Sequence, residues 1–197
     1  RRVMMGLDAI GVHTILTMPD AFDICRKAQD TLHLRATVQE IAMPVTSSPE
    51  DTTRAAAQLR ELGIGCLISL GGDGTNRALA KSCGEVPLLP LSTGTNNAFP
   101  RFVESTLAGM AAGYYAARGL SREEFSFPTK RLNLYRNGTF EDVALVDVAV
   151  CDYQFVGARA LWEVHRLKEL FLTQGQPTNI GMASIGGMLH PIRPDEA

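Results

Sequence analysis

Between Cys66 and Asn76 the chain reads Cys66-Leu67-Ile68-Ser69-Leu70-Gly71-Gly72-Asp73-Gly74-Thr75-Asn76. An apolar run of strand type ends in three glycines around one carboxylate, and Arg77-Ala78-Leu79-Ala80-Lys81 then reads as a helix. A strand, a glycine turn and a helix start together make an anion site. Glycine lets a phosphate approach the backbone and tolerates positive φ, and a helix N-terminus adds N–H donors and partial positive charge. Asp73 gives the motif its chemistry. A carboxylate beside a phosphate repels it unless the acid holds a cation or accepts a proton, so the motif points to phosphate chemistry and not to phosphate binding alone. Neither the dinucleotide G-x-G-x-x-G spacing nor the P-loop G-x-x-x-x-G-K-[ST] spacing is met.

A second polar loop follows one strand later. Val86-Pro87-Leu88-Leu89-Pro90-Leu91 is a short buried strand, and Ser92-Thr93-Gly94-Thr95-Asn96-Asn97 follows it. Asn and Thr are common in turns because their side chains bond the local backbone. Beside the first loop, Asn96 and Asn97 gain a second meaning as donors and acceptors for a ribose or an adenine edge.

The elements that must position these loops alternate. A helix over residues 1–10 stops at Gly11, a strand covers 12–18, and Pro19 opens a helix to about Ala28. A strand over about 32–43 leads to a helix over 52–62, with Ser48 as cap, Pro49 at its first position and Glu50 and Asp51 at its positive end. A helix covers about 104–118; it is Ala-rich, carries Tyr114 and Tyr115, and is expected to pack on the sheet. Strands alternating with helices predict a parallel sheet covered on both faces, with ligands at the carboxyl ends of the strands. Both polar loops lie at that end.

The pattern changes near Phe127-Pro128. Two strand-like runs, 130–135 and 139–150, flank Arg136-Asn137-Gly138, a hairpin signal. A helix is expected over about 156–172, with Arg159, Glu163, Arg166 and Lys168 on a solvated face and Trp162 in a core, and Asp152 in a loop or cap. The expected organisation is an α/β nucleotide-binding domain over 1–127 and part of a β-rich domain over 128–197.

Composition narrows the partners. The 197 residues are 45% hydrophobic and carry a formal charge of −2, with no basic stripe, which argues against nucleic acid. No apolar run approaches membrane-spanning length. Cys25, Cys66, Cys83 and Cys151 form no CxxC pair and read as reduced thiols of a cytoplasmic protein, while the four histidines lack metal-ligand spacing.

The two loops together resemble a family. Gly71-Gly72-Asp73-Gly74-Thr75 followed by Thr93-Gly94-Thr95-Asn96-Asn97-Ala98-Phe99 is similar to the superfamily of NAD kinases, diacylglycerol and sphingosine kinases and 6-phosphofructokinases. The match is strongest to its ATP-NAD kinase/AcoX-like branch, associated with acetoin catabolism, which residues 1–7 and 144–148 also resemble. The resemblance implies an α/β domain followed by a β-sandwich, ATP and Mg²⁺ as cofactors, Asp73 as base or metal-linked acid acting on an acceptor hydroxyl, phosphate contacts from Gly71, Gly72, Gly74 and Thr75 with Asn76 grouped beside them, and nucleotide contacts from Thr93, Gly94, Thr95, Asn96 and Asn97. Where the family places Asn-Asp or Asn-Glu on a strand of the second domain, this chain has Val146-Asp147, which makes Asp147 a nucleotide contact with its Asn lost. Gly181 to Gly187 and His190-Pro191 resemble the family's Gly-Ser-Thr-Ala-Tyr segment in altered form. A family sheet begins with a strand, whereas this chain opens on a helix, so residues are expected beyond both ends.

The resulting expectation is an ATP-dependent kinase of a small-molecule hydroxyl, on NAD, a related nucleotide or a polyol, and a homo-oligomer (dimer or tetramer). The rival readings are a nucleotide-binding regulatory protein without catalysis, and a lipid kinase, which ranks lower because no amphipathic membrane-binding helix stands out.

Overall fold

The structure is a computed structural model that describes residues 1–118, 120–152 and 164–196. The expected features at Arg159, Trp162 and Glu163 lie outside the described residues. The chain forms two compact units, one of residues 1–95 and 100–127, the other of residues 96–99 and 128–197.

The first unit opens with helix α1, Arg2–Ile10, closed by Gly11 in the left-handed region at φ 87°. Strand β1, Thr14–Thr17, follows. The next helix, α2, is Ile24–Gln29 and starts later than Pro19 predicts. The reason is local: the Asp20 carboxylate accepts the N–H groups of Phe22 and Ile24, both at 2.9 Å, and holds a turn there. Strand β2 is Thr37–Glu40, shorter than expected. Helix α3 is Pro49–Glu61, with Pro49 in its first turn. Ser48 occupies the cap position, yet its hydroxyl makes no capping bond. Asp51 reaches back instead and accepts the N–H groups of Thr46 and Ser47. Strand β3, Leu67–Gly71, runs into helix α4, Asp73–Ala80, and strand β4, Leu88–Ser92, precedes helix α5, Ser105–Arg118. A short helix α6, Arg122–Phe125, ends the unit.

β1 pairs with β2 and β3 with β4, both in parallel. The expected single sheet is thus two two-stranded ladders, with an isolated parallel bridge from Leu91 to Arg101. Alternation along each strand feeds two cores. Leu16, Leu67 and Leu88 pack into a cluster with Ala55, Ala56 and Leu59 of α3 and Leu79 of α4. Their neighbours Ile15, Ile68 and Leu89 join Met4 and Leu7 of α1 and Ala112 of α5. Strands buried on both faces are what a parallel layer between helices requires. α1 and α5 approach closely, since a Cβ on Gly109 would stand 2.2 Å from the Val3 carbonyl oxygen.

In the second unit strands β5, Leu132–Arg136, and β6, Thr139–Ala144, form the expected hairpin. Asn137 and Gly138 both take positive φ, 51° and 81°, as a type I′ turn demands. The run expected as one strand to Val150 breaks at Leu145-Val146, and strand β7 is Asp147–Cys151. The described part of the helix expected to end near residue 172 is a 3-10 turn, Val164–Arg166, and strand β8, Leu167–Leu172, antiparallel to β7. The spacing of Leu167 and Leu170 suits a helix, but pairing with β7 overrides it. Helix α7, Met182–Leu189, closes the described chain and seats its glycines tightly: a Cβ on Gly187 would fall 2.4 Å from the Gln176 nitrogen.

Candidate active site

β3 delivers Gly71 to the carboxyl end of its parallel pair, and α4 begins two residues later. The helix therefore starts at Asp73, not at Arg77, and Asp73 lies in its first turn. An acid there is favoured by the helix dipole. The first-turn N–H groups of any α-helix lack intrahelical acceptors, so the same turn offers donors to an anion. None of Gly71, Gly72 and Gly74 adopts positive φ. Their left-handed freedom is unused, because α4 begins at once and the turn stays in ordinary backbone regions. Gly72, at φ −100° and ψ −169°, is simply extended.

The three glycines differ in what surrounds them. A Cβ on Gly71 would stand 2.5 Å from Thr75 Oγ1 and 2.7 Å from Thr75 Cβ, so packing within the turn requires glycine there. A Cβ on Gly74 would meet nothing within 4 Å. Gly74 is exposed, and Asp73 and Thr75 are half-buried. Asn76 has a different place from the one its grouping with the phosphate contacts suggests. It is fully buried, accepts the Ser69 hydroxyl at Oδ1 (2.6 Å) and donates from Nδ2 to the Gly72 carbonyl (2.9 Å). It staples the turn from beneath.

The second loop springs from the neighbouring strand at the matching level, since Gly71 pairs with Ser92 in the β3–β4 register. The roots of the Asp73 turn and of Thr93-Gly94-Thr95 are thus adjacent residues of one ladder. Thr93, Gly94 and Thr95 are exposed, and Ser92 braces the loop by donating to the Gly94 carbonyl at 2.7 Å.

Asn96 and Asn97 belong to the second unit, as does Asp147 at the start of β7. Two buried residues after β8 bond the backbone next to these positions. Thr173 donates its hydroxyl to the carbonyls of Leu145 (2.6 Å) and Val146 (3.1 Å), and its N–H to the Val146 carbonyl (2.9 Å). Gln174 donates from Nε2 to the Ala98 carbonyl at 3.3 Å.

Comparison with known proteins assigns both parts of the chain to families. Residues 10–118, more than half of the chain, match the ATP-NAD kinase N-terminal domain, and residues 130–197 match the acetoin catabolism protein X C-terminal domain. The chain belongs to the ATP-NAD kinase/AcoX-like family. It is 39% identical over 203 residues to acetoin catabolism protein X of Cupriavidus necator, a match that covers 97% of this chain and 56% of that protein. The chain thus spans little more than half the length of that curated relative. No solved structure matches.

In this ATP-NAD kinase/AcoX-like chain, the family motifs point to the loops but not to their supports. Ser69, Thr173 and Gln174 carry no sequence signal of their own. Ser69 reads as one polar residue in an apolar strand, and only the i+7 partner Asn76 gives it a role. Thr173-Gln174 marks the end of β8, which the expectation of a helix conceals.

Proposed function

We propose that this chain holds the donor side of an ATP-dependent kinase that phosphorylates a hydroxyl of NAD or of a related small molecule, linked to acetoin catabolism. The observation that carries the reading is Gly74. It stands in the first turn of a helix, where glycine costs up to about 1 kcal/mol relative to alanine, and no protein atom needs its missing Cβ. Open space against helix N–H groups is what a phosphate requires. In this reading the Asp73 turn and Thr93–Thr95 receive the ATP phosphates, and Asn96, Asn97 and Asp147 contact nucleotide groups. Asp73 orients the acceptor hydroxyl and takes its proton late, once bond formation has acidified it. Mg²⁺ carried with ATP supplies neutralisation of the charge spread over the phosphoryl oxygens. Asp73 is the carboxylate of the turn able to hold that ion through water.

The test uses the protein with Mg²⁺ and labelled ATP against NAD, other ribonucleotides and diol metabolites. Asp73→Ala is expected to abolish transfer, a loss of roughly 10²–10⁴-fold from general-base help alone, with the thermal melt unchanged in form. Full activity in Asp73→Ala would sink the assignment. The rival regulatory reading is favoured by Val146 standing where the family has Asn. It gains if ATP or NAD binds in calorimetry while no acceptor becomes labelled.

A further inference from the structure

Two segments of the second unit hold residues read as nucleotide contacts. Asn97 precedes Ala98, and Asp147 follows Val146. The carbonyls of Ala98 and Val146 are bonded by consecutive buried side chains, Gln174 and Thr173. Thr173 holds the Leu145-Val146 corner, where the β6 run breaks and β7 begins, through its N–H and through one hydroxyl hydrogen shared between the two carbonyls. Gln174 spans 76 residues of sequence to reach its partner. Burial makes both bonds costly to lose, since a stranded polar group in such a place keeps its desolvation penalty. The same junction is pinned from behind. Gly175 exchanges backbone bonds with Ile192 at 2.9 and 2.7 Å, and α7 closes on Gln176 through Gly187.

We propose that Thr173 and Gln174 are positioning residues for the acceptor, setting Asp147 and Asn97 in mutual register so that one nucleotide or polyol with adjacent hydroxyls meets both. This rests on the kinase reading above. A dipeptide with this role adjusts acceptor recognition and leaves the donor loop of the first unit alone.

The experiment compares the wild type with Thr173→Val, Thr173→Ser and Gln174→Leu, using NAD as acceptor probe and Mg-ATP as donor. Loss of one such bond is expected to raise the NAD KM about tenfold in Thr173→Val and Gln174→Leu. The ATP KM stays within about twofold, the scatter of a surface change, and Thr173→Ser restores the NAD value. Hydrogen exchange supplies an arm independent of catalysis. Amides of residues 96–99 and 147–148 should exchange about tenfold faster together in each variant, while those of 67–80 do not change. Equal losses for ATP and NAD, or loosening confined to each side chain's own partner, would overturn the proposal. If the wild type neither labels nor binds NAD, the kinase reading with NAD falls, and the exchange arm still decides whether the two segments are coupled. Should Thr173→Val fail to fold, Gln174→Leu against Thr173→Ser carries both arms.

Discussion

Gly74→Ala separates folding from function by sign. The substitution adds one methyl group in the first turn of α4, where a Cβ has no atom within 4 Å beyond its chain neighbours and its own helix backbone, and φ is not positive. Nothing in the folded chain resists it, and the unfolded chain loses freedom, so stability should rise by roughly 0.5–1 kcal/mol. For a chain of this size that corresponds to an increase in Tm of about 1–4 °C. A phosphate on the helix N-terminus would meet the new methyl group directly. Crowding of that kind costs roughly 1–3 kcal/mol, which raises the ATP KM or dissociation constant about 5- to 150-fold. Gly71→Ala is the control. Its Cβ strikes Thr75, so the Tm should fall whether or not ATP binds there. Scanning calorimetry gives the stability term, and titration calorimetry with Mg-ATP gives the other. A Gly74→Ala protein that melts higher and binds ATP unchanged would refute the reasoning, because the open space would then serve no phosphate.

The Ser69–Asn76 staple should behave as one energetic unit. Ser69→Ala and Asn76→Ala each strand a buried partner at about 1–3 kcal/mol, and a double-mutant cycle in urea should give a coupling of about 0.5–3 kcal/mol; simple additivity would show that the 2.6 Å contact carries no mutual stabilisation. Asp51 predicts an acid limb. Its carboxyl lies below the usual range, first because the Thr46 hydroxyl bonds it, with the N–H groups of Thr46 and Ser47 adding to this against the opposing effect of burial. A lowered folded value means stabilisation present above the ordinary carboxylate pKa of about 4 and lost as pH falls through the folded value. Thermal melts of Asp51→Asn should therefore be lower near neutral pH and flatter below about pH 4; curves parallel to wild type would remove Asp51 from the acid response.

What was legible in the sequence had local causes. Gly11 ends α1 because a left-handed residue must follow it, Pro49 opens α3 because its missing N–H costs nothing there, and Asn137-Gly138 turns the hairpin because both residues accept positive φ. The two loops were legible because apolar strands ended in glycine and amide clusters. What the sequence hid depends on partners far along the chain. Leu167–Leu172 has helical spacing and becomes a strand because β7 offers an edge. Asn76 sits in a ligand motif by position, yet it points to Ser69 and Gly72, which no spacing rule reveals. Gln174 is bound to Ala98 by a bond that only the fold brings into being.

Residues 96–99 are grouped with the second unit although they are threaded between β4 and α5 of the first. On the ribosome this matters in time. Ala98, next to Asn96 and Asn97, emerges long before its partner Gln174, 76 residues later. At about 5–20 residues per second, the interval is roughly 4–15 s. In the later part of that interval, once α5 and α6 have been made, the first unit has its strands and helices but an unbraced amide loop. A gene fragment cut at residue 127 would make the interval permanent, so the heritable unit of this fold is larger than either of its compact parts.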